Sequence, residues 1–210
     1  MIFQRIQEKG ILAKLLEQGI KIILKKECKK IGNLKIDLIA SSIQIIKGEI
    51  KKAKIISEDI NYKDLLFDEV ELEANEIKIN FKRKNKELKF KTNPKIKFRI
   101  SFSENSLKTI LLSDNWNWIA NMISKEILNK ERLKEINIIN GQLFINATED
   151  NISINQVEKI NIKTEKGKVY LGNKKYNKIF QIPIEDKIYV ENINIENNLI
   201  HIFANSFISF

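Results

Sequence analysis

His201 is the only histidine and Cys28 the only cysteine in the chain. These two residue types supply most neutral-pH bases, nucleophiles and soft metal ligands, so their scarcity bounds the available chemistry. One of each cannot build a zinc site, which takes three or four nitrogen and sulfur ligands. A Ser-His-Asp or Cys-His pair stays open on arithmetic alone, but no nucleophile-elbow sequence accompanies His201. The run LIHIFA places His201 in a strand with Leu199 and Phe203 on its own face, the setting of a structural histidine. Cys28 stands among Lys25, Lys26, Lys29 and Lys30, whose charges would lower a thiol pKa. A lone cysteine on a helix is still more often a packing residue. With no second cysteine, no intramolecular disulfide can form, and a reducing compartment is expected.

The remaining catalytic patterns are absent. Neither GxxxxGK[ST] nor GxGxxG occurs, so no glycine loop cradles a phosphate. Carboxylate pairs such as Asp68-Glu69 and Glu185-Asp186 fall in alternating charged stretches or at turns, where solvation accounts for them. The expectation is a non-enzymatic protein without metal or cofactor.

What remains is binding. Basic residues number 37 and acidic residues 27, a net charge of +10 that favours anionic partners: phospholipid head groups, nucleic acid or an acidic protein. The bias toward Ile, Lys and Asn is also what an AT-rich genome produces, so charge alone selects none of these. Only 7 Gly and 2 Pro interrupt the chain and no linker-like tract occurs, so one domain spanning 1–210 is expected. The N-terminus lacks the continuous apolar core of a secretory signal, and no stretch approaches the ~20 apolar residues of a membrane span. A cytoplasmic protein, peripheral to the membrane, is the corresponding expectation.

Periodicity supplies the elements that would position a binding surface. Leu12, Leu15, Leu16, Gly19, Ile20, Ile23 and Leu24 recur at helical spacing, predicting a helix over roughly 11–31 that Gly32 and Asn33 stop. From Leu34 the period becomes two: Leu34, Ile36 and Leu38; Val70, Leu72 and Ala74; Ile77, Ile79 and Phe81; Ile96, Phe98, Ile100 and Phe102. Charged residues fill the alternate positions, which is one-sided burial and argues for antiparallel strands. Ser103 is placed to cap a short helix to about Leu112, and Asp114 a longer one to about Lys130. Strands resume after Glu135, with turns at Gly141, Asp150-Asn151 and Lys166-Gly167, and end in 188–195 and 199–203. The predicted class is α+β: helix, antiparallel meander, helix, antiparallel meander, with pseudo-halves 1–102 and 103–210. In each, a curved sheet would pack on an amphipathic helix.

Two features of this plan could bind a lipid. Lys14, Lys21, Lys25, Lys26, Lys29 and Lys30 on the first helix are candidates for anionic head groups. Leu111, Leu112, Trp116, Trp118, Ile119 and Ile123, around a turn between two helices, are candidates for the mouth of an apolar groove between helix and sheet. The competing class is a basic adaptor for nucleic acid or an acidic protein, using the Lys25–Lys30 and Lys82–Lys86 clusters. Mixed signs weigh against nucleic acid: the Lys95–Arg99 strand face is basic but the Glu69–Glu73 face is acidic.

The order of a basic helix, GEIKKAKIISEDINYKDLLFDEVELEANEIKI (48–79) and FRISFSENSLKTILLSDNWNWIANMI (98–123) resembles the LmeA-like phospholipid-binding family, a former domain of unknown function common in cyanobacteria and actinobacteria. The points of likeness are the Gly that opens a strand, the Tyr before DLLFDEVEL, the helix begun by Glu104 and Leu107, and the restarting strand INIINGQLFINA (136–147). The resemblance implies phospholipid binding and a fold related to tubular lipid-binding proteins, and it carries no catalytic residue. Mycobacterial members are exported, whereas no export signal is read here, so the inner face of a membrane is the expected place.

Overall fold

The computed structural model describes residues 10–82, 87–148 and 157–207. It is an α+β protein with two antiparallel sheets. The first half opens with α1 (Ile11–Glu27), β1 (Lys30–Ile39), α2 (Ser42–Ile46), β2 (Glu49–Tyr62), β3 (Leu65–Lys82), β4 (Glu87–Phe90) and β5 (Lys95–Ser103). A helical seam follows: α3 (Glu104–Leu111), α4 (Asn117–Ile123) and a π-helical turn over Ser124–Leu128. The strands then run β6 (Arg132–Ile139), β7 (Gln142–Thr148), β8 (Val157–Glu165), β9 (Lys168–Asn173), β10 (Lys178–Gln181), β11 (Ile188–Glu196) and β12 (Leu199–Phe207).

One sheet has the order β1-β2-β3-β5-β12-β11, with β4 added to β3; the other is the plain meander β10-β9-β8-β7-β6. The C-terminal hairpin therefore leaves the second half. β12 pairs with β5 along its whole length, from Leu199 opposite Ser103 to Phe207 opposite Lys95. The two pseudo-halves expected at 1–102 and 103–210 are consequently interleaved: the seam marks the switch between sheets, and β11–β12 switches back. Val169, Val190 and Ala204 form a core where the sheets meet. A larger core joins the seam helices to the second sheet, with Ile127, Ile145 and Ala120 almost wholly buried.

Four tight hairpins set the registers. Lys63-Asp64, Asn140-Gly141, Lys166-Gly167 and Asn197-Asn198 each place both central residues at positive φ, the turn whose twist matches paired strands. At Gly167 a side chain would displace the Tyr189 ring, since a Cβ would sit 2.3 Å from it. Phase breaks are absorbed inside strands. Ala74 and Ile77 both enter the core under α1 although they are three residues apart, since left-handed Glu76 takes up the odd step. The apolar series 70–74 and 77–81 thus belong to one long strand, β3.

Two helical expectations are corrected. α1 ends at Glu27, not near Ile31, because Cys28 is extended and the Lys29 N–H bonds to the Asn61 carbonyl, capturing the chain into strand pairing. Gly32 and Asn33 lie inside β1. Asp114 does not cap the second helix. The Ser113 carbonyl accepts from the Trp116 and Asn117 N–H groups, so the helix starts at Asn117 with Trp116 as an uncapped N-cap. Ser103 does cap α3, accepting from the Ser106 N–H at 3.2 Å. The turn expected at Asp150-Asn151 and the strand marks Ile152 and Ile154 lie outside the described residues.

Each half docks a helix on an exposed strand edge by the same device. Glu17 of α1 accepts from the Leu38 N–H of β1 at 2.7 Å, and Glu104 of α3 accepts from the Ile138 N–H of β6 at 2.7 Å. Each carboxylate satisfies an edge donor that would otherwise be covered unpaired. Glu17→Ala and Glu104→Ala are each expected to cost about 1–3 kcal/mol, read as a lower urea midpoint at unchanged slope.

Candidate functional site

Helix geometry, at 3.6 residues per turn, divides α1 into three sectors. Ala13, Leu16, Glu17, Ile20 and Leu24 face the sheet edge; Ala13 is fully buried, and Leu16 and Ile20 pack on the Leu38, Ile50 and Ala74 core. On the opposite side Ile11, Leu15 and Ile22 lie in solvent, 76%, 62% and 68% exposed, with Ile23 beside them at 60%. Lys14, Lys21 and Lys25 form the third sector, with Lys26 on the far flank of the apolar stripe. The apolar arc of α1 is thus wider than the sheet edge can cover. Leu15 and Ile23, counted with the buried stripe from spacing, belong to the uncovered part.

Exposed aliphatic side chains also occur on α2, which adjoins the N-terminus of α1. Its first turn is fixed by a capping box, Ser41 accepting from the Gln44 N–H while the Gln44 side chain accepts from the Ser41 N–H. Ile43 and Ile46 remain 67% and 76% exposed. The N-terminus of α1 abuts this helix, for a Cβ on Gly10 would sit 2.6 Å from the Ser42 hydroxyl. Large aliphatic side chains gathered at two adjoining helices are unlike the single scattered ones of an ordinary surface.

Between α1 and β1–β2 runs a groove of about 520 Å³ lined by Lys21, Lys25, Ile31, Asn33, Leu34, Lys35, Ile56 and Glu58. Glu58 accepts from the Asn33 amide at 2.6 Å, whereas Lys21, Lys25 and Lys35 have no acidic partner among the described residues. Lys35 and Asn33 were not legible as site residues, because only the pairing of β1 with β2 brings them beside the helix.

Lys29 and Lys30 are less free. Lys29 donates to Asp64 at 2.6 Å and Lys30 lies 3.4 Å from Asp59. The Lys29 hydrogen bond, joined by one from Asn115, outweighs partial burial and holds the Asp64 carboxyl below the usual carboxylate range. Cys28 departs from expectation: burial, and then Glu27, push its thiol upward, so the neighbouring lysines do not activate it.

The tryptophans divide in role. Trp116 donates its indole N–H to the Lys63 carbonyl at 3.3 Å and ties the seam to the β2–β3 turn. Trp118 is 45% exposed, with Leu112 and Met122 also at the surface. Leu111 and Ile123 are buried in the seam core and Ile119 packs against it. The six residues proposed for a lipid mouth are therefore three core residues, one clamp and two surface residues, Leu112 and Trp118.

His201 is hydrogen-bonded within the first sheet. Its Nδ1 lies 2.8 Å from the Ser101 hydroxyl, which donates to Glu69 at 3.4 Å. The acid touches the serine rather than the far ring nitrogen, the reverse of a catalytic triad's order. Ser101 is fully buried in mid-strand, so its oxygen cannot reach a substrate carbonyl. No group of three or more His, Cys, Asp or Glu residues able to hold a metal occurs among the described residues.

Among the described residues the most buried acid is Glu158, which spacing did not single out. It accepts from Lys175 at 2.6 Å and Tyr176 at 3.2 Å, with the Asn173 amide at 3.5 Å. Burial pushes its pKa up, but the three donors together pull it below the usual carboxylate range. A depressed folded pKa stabilises the protein above the unfolded value of about 4.3 and loses that contribution as pH falls through the folded one. Glu158→Gln should flatten this acid limb of the stability curve, and at pH 7 should cost about 1–3 kcal/mol by urea titration.

Among the described residues no helix is long and apolar enough to cross a membrane. Comparison with protein-family models, curated proteins and solved structures finds no match to this chain in any of the three.

Proposed function

We propose that the chain is a non-enzymatic phospholipid-binding protein that docks on an anionic membrane surface through α1. The observation that carries this reading is the outward stripe of Ile11, Leu15 and Ile22, bordered by Lys14, Lys21, Lys25 and Lys26. A helix lying in the interface buries such a stripe at the acyl boundary and keeps its lysines among head groups. Each well-buried Ile or Leu contributes about 1.5–3 kcal/mol and each lysine near an anionic leaflet about 1 kcal/mol. A handful of both therefore gives reversible but useful binding. Ile43 and Ile46 of α2 extend the apolar side, and Leu112 and Trp118 offer a second contact.

In this reading the chain is a relative of the LmeA-like family, with a curved sheet beside its helix as in tubular lipid-binding proteins, acting at the cytoplasmic face of a membrane. The lipid then meets the protein at α1 and the groove beside it, rather than at a mouth formed by Leu111 and Ile123.

Vesicle flotation tests the reading. The chain should float with phosphatidylcholine vesicles containing phosphatidylglycerol, weakly or not at all with phosphatidylcholine alone, and less well as salt rises from about 0.1 to 1 M. Absence of flotation on every anionic composition would contradict it. If the same chain then bound a mixed-sequence oligonucleotide tightly, with steep salt dependence, the basic-adaptor reading would replace it.

A further inference from the structure

We propose that the groove between α1 and β1–β2 is a phosphate site that takes the phosphomonoester head group of a membrane lipid. This rests on the membrane reading and specifies which head group is preferred. Three lysines line the groove, Lys21 and Lys25 from one turn of α1 and Lys35 from β1. The only carboxylate there, Glu58, is held by Asn33. Two positive charges are left over in a concave site.

The groove carries an excess of positive charge. Lys21 and Lys25 stand four residues apart on a helix, a like-charge spacing that costs the isolated helix a few tenths of a kcal/mol. Lys35 adds a third cation across the groove, and Glu58 offsets only one of the three. An anion of charge near two resolves this, and a phosphomonoester carries about −1.5 to −2 at neutral pH, whereas a phosphodiester carries −1. Lysine binds such a group as a point charge and needs no fixed fork geometry. The volume also suits a head group, falling within the roughly 300–1,000 Å³ of small-molecule sites.

Position selects a lipid over a free phosphate. Lys21 is followed directly by Ile22, whose side chain points outward with the apolar stripe. A phosphate in the groove therefore leaves its acyl chains beside the stripe, so both parts of one lipid are served by one turn of helix.

The test compares vesicles of phosphatidylcholine with phosphatidic acid against vesicles with phosphatidylglycerol, adjusted to equal zeta potential. The wild-type chain should bind the phosphatidic acid vesicles about tenfold more tightly, and Lys35→Gln should narrow that preference to within about twofold. Lys35→Arg, which keeps the charge, should retain most of it, and equal urea midpoints would establish that all three proteins fold alike. Glycerol 3-phosphate in solution should bind only at millimolar concentration. Equal binding to the two vesicle types, unchanged by Lys35→Gln, would overturn the site while leaving membrane docking intact. Tight binding of glycerol 3-phosphate with no vesicle preference would make the ligand a soluble phosphate and overturn the lipid assignment. Failure to bind any anionic vesicle would instead remove the membrane reading itself.

Discussion

Replacing Leu15 and Ile22 together with glutamate is expected to weaken binding to anionic vesicles about a hundredfold while leaving the urea midpoint nearly unchanged. Both side chains are more than three-fifths exposed, so they contribute little to folding. Glutamate is as good a helix former as leucine, and a glutamate at position 22 would face Lys26 one turn on, a favourable pair. At a membrane the same two substitutions remove apolar insertion worth about 1.5 kcal/mol each, near 3 kcal/mol together. They also place negative charge against an anionic surface. Flotation and urea titration on the same two samples separate the effects. A large fall in stability would mean that the stripe is core, against its exposure. Unchanged flotation would mean that α1 does not dock.

Gly48→Ala is expected to be strongly destabilising. Gly48 links α2 to β2 at φ 75°, a left-handed conformation that costs an L side chain about 1–2 kcal/mol. Its Cβ would also fall 2.1 Å from the Ile79 carbonyl oxygen of β3, which forces the backbone apart. Close approach is required there, since the Ile79 N–H donates to the Gly48 carbonyl at 2.7 Å. The two penalties together amount to about 3 kcal/mol or more. Gly19→Ala provides the opposite case. It sits inside α1 with nothing within 4 Å of a built Cβ, so alanine should raise stability by about 0.5–1 kcal/mol. Urea midpoints of the two variants should move in opposite directions, and a stabilised Gly48→Ala would refute the close approach of Gly48 to the Ile79 carbonyl of β3.

Much of this fold was legible where local physics decides it. Alternation in 95–103 and 34–38 gave strands because one face is buried and the other solvated. Asn140-Gly141 and Lys166-Gly167 were readable as hairpins because glycine enters the left-handed region freely. Lys63-Asp64 adopts the same turn without glycine, held by the registers of β2 and β3, and carried no such mark. Tertiary pairing was the least visible layer. Nothing local in β12 says that its partner is β5, a hundred residues earlier, so the chain order divides the single expected domain into successive pseudo-halves.

The binding surface shows the same division. Spacing identified α1 as amphipathic with a lysine flank, but a broad apolar arc does not disclose which part a sheet edge will cover. Only the docking of Glu17 on the Leu38 N–H turns Leu16 and Ile20 inward and leaves Leu15 and Ile22 outside. For the Trp116–Trp118 segment the spacing likewise marks a place but not each residue's role. The sequence cannot distinguish an indole that clamps a turn, as Trp116 does on Lys63, from one presented to solvent, as Trp118 is. Glu158 was passed over because its partners at 173–176 meet it only through the β8–β9–β10 meander.

Membrane docking of this kind requires the outer face of α1 to enter the interface. It is tested most directly by an environment-sensitive fluorophore at Ile22→Cys, in a chain whose Cys28 is replaced by serine. A matching label at exposed Gln142, on the second sheet, serves as reference. On adding phosphatidylglycerol-containing vesicles, emission from position 22 should shift to the blue while position 142 stays unchanged. Equal responses at both positions, or none at position 22 while the protein floats with the vesicles, would contradict docking through α1.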